Sequence, residues 1–234
     1  MDTQTRHALK QDKFARTAAS SMSWVSGHRT NLLRWVIIGA VVLIVVVLAV
    51  VFWTMKTNAA DRALGAAVDL YSTPLAAPGA PAQKNVYSTA AERAKEANRE
   101  FVAIAKDFSW VSQGAKAHYY AGVTYQELGQ TGSAESELKD ATSSWDRNLS
   151  NLAKIALAGL YHQTGRDAQA IDLYNQVAAK PSITVPATTA QLALADLYAS
   201  TGKQDQARAL WAKIKDSDKE GMAGSIATQK LSGK

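Results

Sequence analysis

The sequence predicts an all-α protein in which a single membrane-crossing helix precedes an array of three to four helix pairs. Three observations lead there. Residues 35–55 form a block with no charged side chain. A pattern of small and large residues recurs further along at offsets of 36 and 37 residues. The composition also favours helix: 43 of 234 residues are Ala and only 5 are Pro. Ala is the best helix former, and Pro breaks helix interiors.

Charge divides the chain. Residues 1–34 carry six Lys/Arg (Arg6, Lys10, Lys13, Arg16, Arg29, Arg34) against two Asp, for a net +4, while residues 56–234 carry 20 Lys/Arg and 18 Asp/Glu, for a net +2. The overall +6 is thus mostly a property of the N-terminal tail. The larger part intermixes both signs, as a solvated surface does, and lacks the one-sided Lys/Arg clustering of a nucleic-acid binder. Residues 1–31 read as a basic, disordered cytoplasmic tail, with a weak basic helix through Leu9, Lys13 and Arg16 as the alternative.

Residues 32–56 read as a transmembrane signal anchor. The charge-free stretch Trp35–Met55 has 21 residues; as a helix it spans about 31 Å, one hydrocarbon core. Trp35 and Trp53 stand where interfacial aromatics sit. A core helix rarely runs this long without a polar residue. A cleaved signal peptide has a shorter apolar core and no long polar segment ahead of it. Arg29, Arg34 and four further cations upstream, against Lys56, Asp61 and Arg62 downstream, place the N-terminus in the cytoplasm and residues 56–234 outside.

Residues 57–113 read as a degenerate first helix pair. Leu64, Gly65 and Val68 mark its first helix, Ala97, Phe101 and Ile104 its second, and residues 72–85, with three of the five prolines, an extended loop between them. Residues 114–220 hold three clearer copies. In each, a small residue (Gly122, Ala158, Ala195) stands three before a Tyr (Tyr125, Tyr161, Tyr198). Gly follows four later (Gly129, Gly165, Gly202), then Ala (Ala134, Ala170, Ala207), a large apolar residue (Leu138, Tyr174, Trp211) and a smaller one (Ala141, Val177, Ile214). The first three marks belong to a helix that ends at a Gly of positive φ. The last three form a stripe at i, i+4, i+7 on a second helix. Small residues fall where the paired helices cross, and Asp167 is placed to cap the second helix of the middle copy. Residues 221–234 supply a capping helix and tail, with Met222, Ile226 and Leu231 as its apolar side.

Motifs for chemistry are missing. With no cysteine there is no disulfide, thiolate metal site or cysteine nucleophile. His7, His28, His118 and His162 each lack a second ligand at helical spacing and read as exposed or groove-lining. No nucleophile elbow, zinc-protease motif or phosphate-binding loop occurs. Glu135 with Glu137, and Asp216, Asp218 and Glu220, read as solvated charges. Asn148-Leu149-Ser150 matches a glycosylation sequon, a pattern of low specificity. No catalytic, cofactor-binding or metal-binding residue is assigned, and no enzyme is expected.

The repeated series resembles the tetratricopeptide repeat (TPR), although the family's opening Trp is replaced by His118, Lys154 and Gln191. The resemblance implies an α-solenoid whose first helices line a concave groove. Carried across, the groove would comprise Lys116, Tyr119, Val123 and Gln126, then Leu152, Ile155 and His162, then Leu192 and Asp196. Clamping of a C-terminal carboxylate is not expected, because Tyr119, Val123, Ile155 and Gly159 occupy the places of the clamping Lys and Asn. An apolar groove suits a helix or an extended apolar peptide; alternatively these residues pack against the anchor-proximal helix or a second copy. The organisation as a whole, one anchor and a short Ala-rich repeat domain, resembles the YfgM-type ancillary Sec-translocon subunits and the CpoB-like TPR proteins. That resemblance implies an inner-membrane, single-pass protein with its repeats in the periplasm. Its partners would be the Sec translocon, a membrane-anchored periplasmic chaperone and unfolded clients. The competing expectation is a structural scaffold of another envelope assembly, in cell division or outer-membrane biogenesis.

Overall fold

The computed structural model describes residues 29–76 and 86–233, and these residues are helical nearly throughout. The elements are α1 (Arg29–Ser72), α2 (Ala90–Asp107), α3 (Ser112–Glu127), α4 (Thr131–Thr142), α5 (Arg147–Gln163), α6 (Asp167–Ala179), α7 (Ala187–Ser200), α8 (Gln204–Ser217) and α9 (Met222–Leu231). The expected basic tail lies outside the described residues up to residue 28, as do residues 77–85 of the expected Pro-rich loop. The chain divides into two compact units after Lys56.

In the first unit every described side chain from Arg34 to Lys56 is exposed. This part of α1 is long and apolar enough to cross a membrane. Its one hydroxyl, Thr54, donates to the Val51 carbonyl at 2.9 Å, so it leaves no unsatisfied proton on the apolar surface.

The second unit begins with the last turns of α1, and there one helix face becomes buried: Ala60, Leu64 and Ala67. Gly65, expected to mark that face, is exposed, with nothing near the place a Cβ would take. Val68 and Tyr71 are instead half-buried and pack on the cluster around Phe101. Tyr71 sets its ring edge-on against Phe101 at 6.2 Å, beside the buried Ala97, Phe101 and Ile104. The connection to α2 is long, and its two ends are tied where Ala76 N–H donates to the Tyr87 carbonyl at 2.9 Å. A reciprocal capping box between Thr89 and Glu92 starts α2.

From α3 onward, helices pack in chain order: each lies against its neighbours, and α3 also meets α5 as α7 meets α9. The repeated alanines explain how. Ala134, Ala170 and Ala207 are fully buried, as are Ala158 and Ala195. At Gly122 a Cβ would come within 2.6 Å of the Leu138 side chain, so that crossing admits no methyl. A further series was not singled out from the sequence: Ala117, Ala153, Ala190 and Ala227, at offsets of 36, 37 and 37, are all fully buried.

The three within-pair turns share one geometry. Gly129, Gly165 and Gly202 have φ of 70, 73 and 78°. Each glycine N–H donates to the carbonyl three residues back. The next residue's N–H donates to the Tyr carbonyl: Gln130 to Tyr125 (2.9 Å), Arg166 to Tyr161 (2.8 Å) and Lys203 to Tyr198 (2.8 Å). This is the Schellman motif, with Tyr four residues before the left-handed glycine. Asp167 does not cap α6. The N-cap is Arg166, and Asp167 is already the first helical residue.

At the C-terminus, α9 presents Gly224 and Ala227 inward, while Met222 and Leu231 are exposed and Ile226 is half-buried. The expected stripe of Met222, Ile226 and Leu231 is therefore mis-registered. Ala227 continues the alanine series, so α9 is built like the first helix of one more pair. Gly224 repeats a device of Gly114: a Cβ at either would strike the carbonyl oxygen six residues earlier, Asp218 at 1.9 Å or Phe108 at 2.2 Å.

Candidate functional site

The expected groove residues lie on α3, α5 and α7. Lys116, Tyr119, Val123 and Gln126 recur at spacings of three and four, hence on one face of α3. Lys116 is exposed and the other three are half-buried. Tyr119 leans on the cluster around Leu157 and Tyr161, and its ring meets Tyr120 edge-on at 5.4 Å. Burial pushes its phenol above the usual range. Ile155 packs on that same cluster, so the structure places Tyr119 and Ile155 in one neighbourhood. Ile155 and Leu152 also pack against Val177, Val185 and Ala190, toward the next pair.

The last groove layer is partly occupied. Leu192 packs on the Trp211, Ile214 and Ala227 cluster. Asp196 accepts from Lys230 Nζ of α9 at 2.9 Å. These two residues serve the junction with the final helix as much as any open surface.

Along one rim, polar groups tie successive pairs together. Gln126 Nε2 donates to Gln163 Oε1 at 3.0 Å. His162 lies 2.6 Å from Asp167 Oδ1 through Nδ1 and 3.2 Å from Ser200 Oγ through Nε2. Ser200, His162 and Asp167 have the connectivity of a hydrolase triad. However, Ser200 Oγ also donates to the Leu197 carbonyl at 2.9 Å, which engages its only proton. The geometry is that of a tie between α5, α6 and α7.

Two carboxylates expected to be solvated are in fact engaged. Glu137 Oε2 lies 2.6 Å from His118 Nδ1, with both side chains mostly buried. That contact, opposed by burial, raises the His118 pKa above its ordinary value. Glu135 takes Lys139 at 2.7 Å and Arg166 at 2.8 Å, and accepts from the Tyr161 hydroxyl at 3.2 Å. The bonds from Lys139 and Arg166 hold the Glu135 carboxyl below its usual range. The Arg166 guanidinium also stacks 4.3 Å from the Tyr161 ring. Neither Glu137 nor Asp167 stands at i+3 or i+4 to its histidine, so helical spacing carries no trace of those two contacts, whereas Lys139 stands at i+4 to Glu135.

Further polar ties lock the first pair to the second. Buried Asn98 of α2 donates from Nδ2 to the Ala121 carbonyl (3.1 Å) and to Thr124 Oγ1 (3.0 Å). The Tyr71 hydroxyl donates to Glu127, and Gln113 Nε2 donates to Asp61 Oδ1 at 2.7 Å. Burial, with the Glu127 carboxylate next in weight, raises the Tyr71 pKa. Within the sequon, Asn148 is half-buried and its Oδ1 accepts from Thr184 Oγ1 at 3.1 Å. Among the described residues no group of three or more His, Asp or Glu is arranged to hold a metal ion.

The other feature lies at the between-pair loops. Trp110, Trp145 and Ile183 are 44, 87 and 95% exposed. Two clefts open between them. One, of about 370 Å³, is bordered by Trp110, His118, Asp140 and Trp145; the other, of about 540 Å³, by Trp145, Arg147, Asn148 and Ile183. Comparison with models of protein families, with curated proteins and with solved structures gives no match to this chain.

Proposed function

We propose that residues 57–231 form a TPR-like α-solenoid held to the inner membrane by the 32–56 anchor, and that the protein is a scaffold for protein–protein interaction. The observation that carries this reading is the thrice-repeated Tyr-x3-Gly Schellman turn with its fully buried alanines, following a helix apolar enough to span a bilayer. Repeats of that kind stack into an extended surface and leave the faces of the first helices for a partner. Tyr119 and Ile155 offer an apolar centre flanked by Lys116 and Gln126, chemistry suited to a helix or an extended apolar segment. No catalytic step belongs to this reading.

By resemblance to the YfgM-type subunits, the partners are the Sec translocon, a membrane-anchored chaperone and newly translocated chains, met in the periplasm. Purification of the full chain in mild detergent tests this. Sec subunits in the eluate support it. Division or outer-membrane-assembly proteins in their place overturn the translocon assignment and favour the scaffold of another envelope complex. The groove has its own test: Tyr119→Ala with Ile155→Ala abolishes site-specific crosslinks to the partner while helicity is unchanged, and undiminished crosslinking refutes it. The topology also has its own test. A C-terminal reporter active only in the cytoplasm would reverse the N-in, C-out assignment.

A further inference from the structure

The row formed by Trp110, Trp145 and Ile183 is not used by the groove reading. Each side chain follows a serine in a between-pair loop: Ser109-Trp110, Ser144-Trp145 and Ser182-Ile183. The corresponding place in the next loop is charged, Lys219-Glu220, and the next exposed apolar side chain on this edge is Met222 at the start of α9. A side chain as apolar as Ile that is 95% exposed, beside a Trp that is 87% exposed, marks a surface waiting for a covering.

We propose that this loop edge docks on the lipid–water interface of the bilayer that holds the anchor. Two observations choose lipid as the occupant. The first is chain connectivity. Within the 57–234 unit, Asp61 of α1 bonds Gln113 in the first turn of α3, whereas Tyr71 bonds Glu127 at the far end of that helix. The chain thus enters this unit on the edge that carries Trp110. Asp61 is six residues after Met55, the end of the charge-free block. Even fully extended, six residues reach about 20 Å. An edge tethered that closely meets headgroups at high effective concentration, so weak contacts suffice.

The second observation is the chemistry of the edge. Trp favours the headgroup level, where its ring is apolar and its N–H can stay wet. The cleft between Trp145 and Ile183 is lined by groups that suit a glycerophosphate headgroup, Arg147, Asn148 and Ser182, whereas the one between Trp110 and Trp145 sets the Asp140 carboxylate beside Ser143 and Ser144. On the opposite edge the three regular turns carry Gln130, Arg166 and Lys203 instead, and the longer first connection shows Leu75 and Val86 only 42 and 37% exposed.

The inference rests on the 34–55 segment spanning a bilayer, and the test separates the two claims. The full chain contains no cysteine, so Ile183→Cys and, on the opposite edge, Asp205→Cys each give one labelling site. Each variant is labelled with an environment-sensitive fluorophore and reconstituted into phosphatidylcholine–phosphatidylglycerol vesicles. Carbonate washing first shows whether the chain is integral. A washed-out chain means that the span itself has failed and overturns the inference with it. For the integral protein, a headgroup-level nitroxide lipid should quench the label at 183 several-fold more than the label at 205. Adding Trp145→Ser to the Ile183→Cys chain should bring the two to the same level, with unchanged circular dichroism. Equal quenching of the two labels in the parent chain overturns the proposal. So does a label at 183 that is shielded from aqueous iodide yet unquenched by the lipid, which points to a protein partner or a second copy on this edge.

Discussion

Along one edge of the 57–234 unit, α3 turns into α4, α5 into α6 and α7 into α8 through three residues each time, with the same left-handed glycine and the same Tyr carbonyl. Along the other edge, the connections span 108–111, 143–146, 180–186 and 218–221, and beyond the Ser-Trp pair of the first two they share no sequence. The first edge is set by backbone hydrogen bonding, which tolerates few solutions. The second has only to return the chain. It therefore varies in length and carries exposed apolar side chains, and variation of that kind is where function accumulates on a fixed scaffold.

The contrast can be broken most severely where the variable edge hides a rigid contact. Gly114→Val should cost about 3 kcal/mol or more, because the new side chain meets the Phe108 carbonyl and the backbone there has little room to yield. A urea melt at wild-type stability would show that the loop is softer than its packing implies. Next come the crossings: Ala170→Leu or Ala207→Leu should cost about 1–3 kcal/mol by overpacking a fully buried site, read as a lowered melting temperature. At the regular edge, Gly165→Ala forces an L side chain to φ 73° and should cost about 1–2 kcal/mol.

A smaller effect is pH-dependent. The folded-state pKa of His118 is raised, chiefly by Glu137, so its contribution is complete below the unfolded value near 6.5 and is lost as pH rises through the folded value. Thermal melts across that window should show wild type losing more stability with rising pH than His118→Gln. Parallel curves would remove the tie from the account. The smallest effect is on the loop edge itself. Trp145→Ser, at a side chain 87% exposed, should leave stability within about 0.5 kcal/mol.

The legible part of this fold was its periodic part. Gly129, Gly165 and Gly202 could be placed because one backbone conformation demands them, and Ala134, Ala170 and Ala207 because close crossings exclude larger residues. The register of α1 near residue 65 was missed because its pair departs from the others. The step from Tyr71 to Ala97 is 26 residues, whereas Tyr to Ala takes 9 in the regular copies, and no fixed offset guides the alignment. The face of α9 was misread because Met222 and Leu231 are the larger apolar residues, whereas the site has room only for Gly224 and Ala227. In the candidate site, helical spacing puts Lys116, Tyr119, Val123 and Gln126 on one face of α3, whereas their reading as a groove comes from the resemblance. Glu137 reaches His118, Ser200 reaches His162, and Tyr161 and Arg166 reach Glu135 only through tertiary structure, whereas Lys139 lies one turn from Glu135 on the same helix.

The chain-order packing of α3 to α9 has a consequence for how the protein is made. No helix there packs extensively against one more than two along, so contacts are local in sequence and folding should be fast. Each pair can add to the one before it as the chain emerges from its N-terminal end, without waiting for distant segments. The order of synthesis then matches the order of assembly, and among the described helices α9, which packs on α8 and more lightly on α7, should exchange its amide hydrogens sooner than the central pairs.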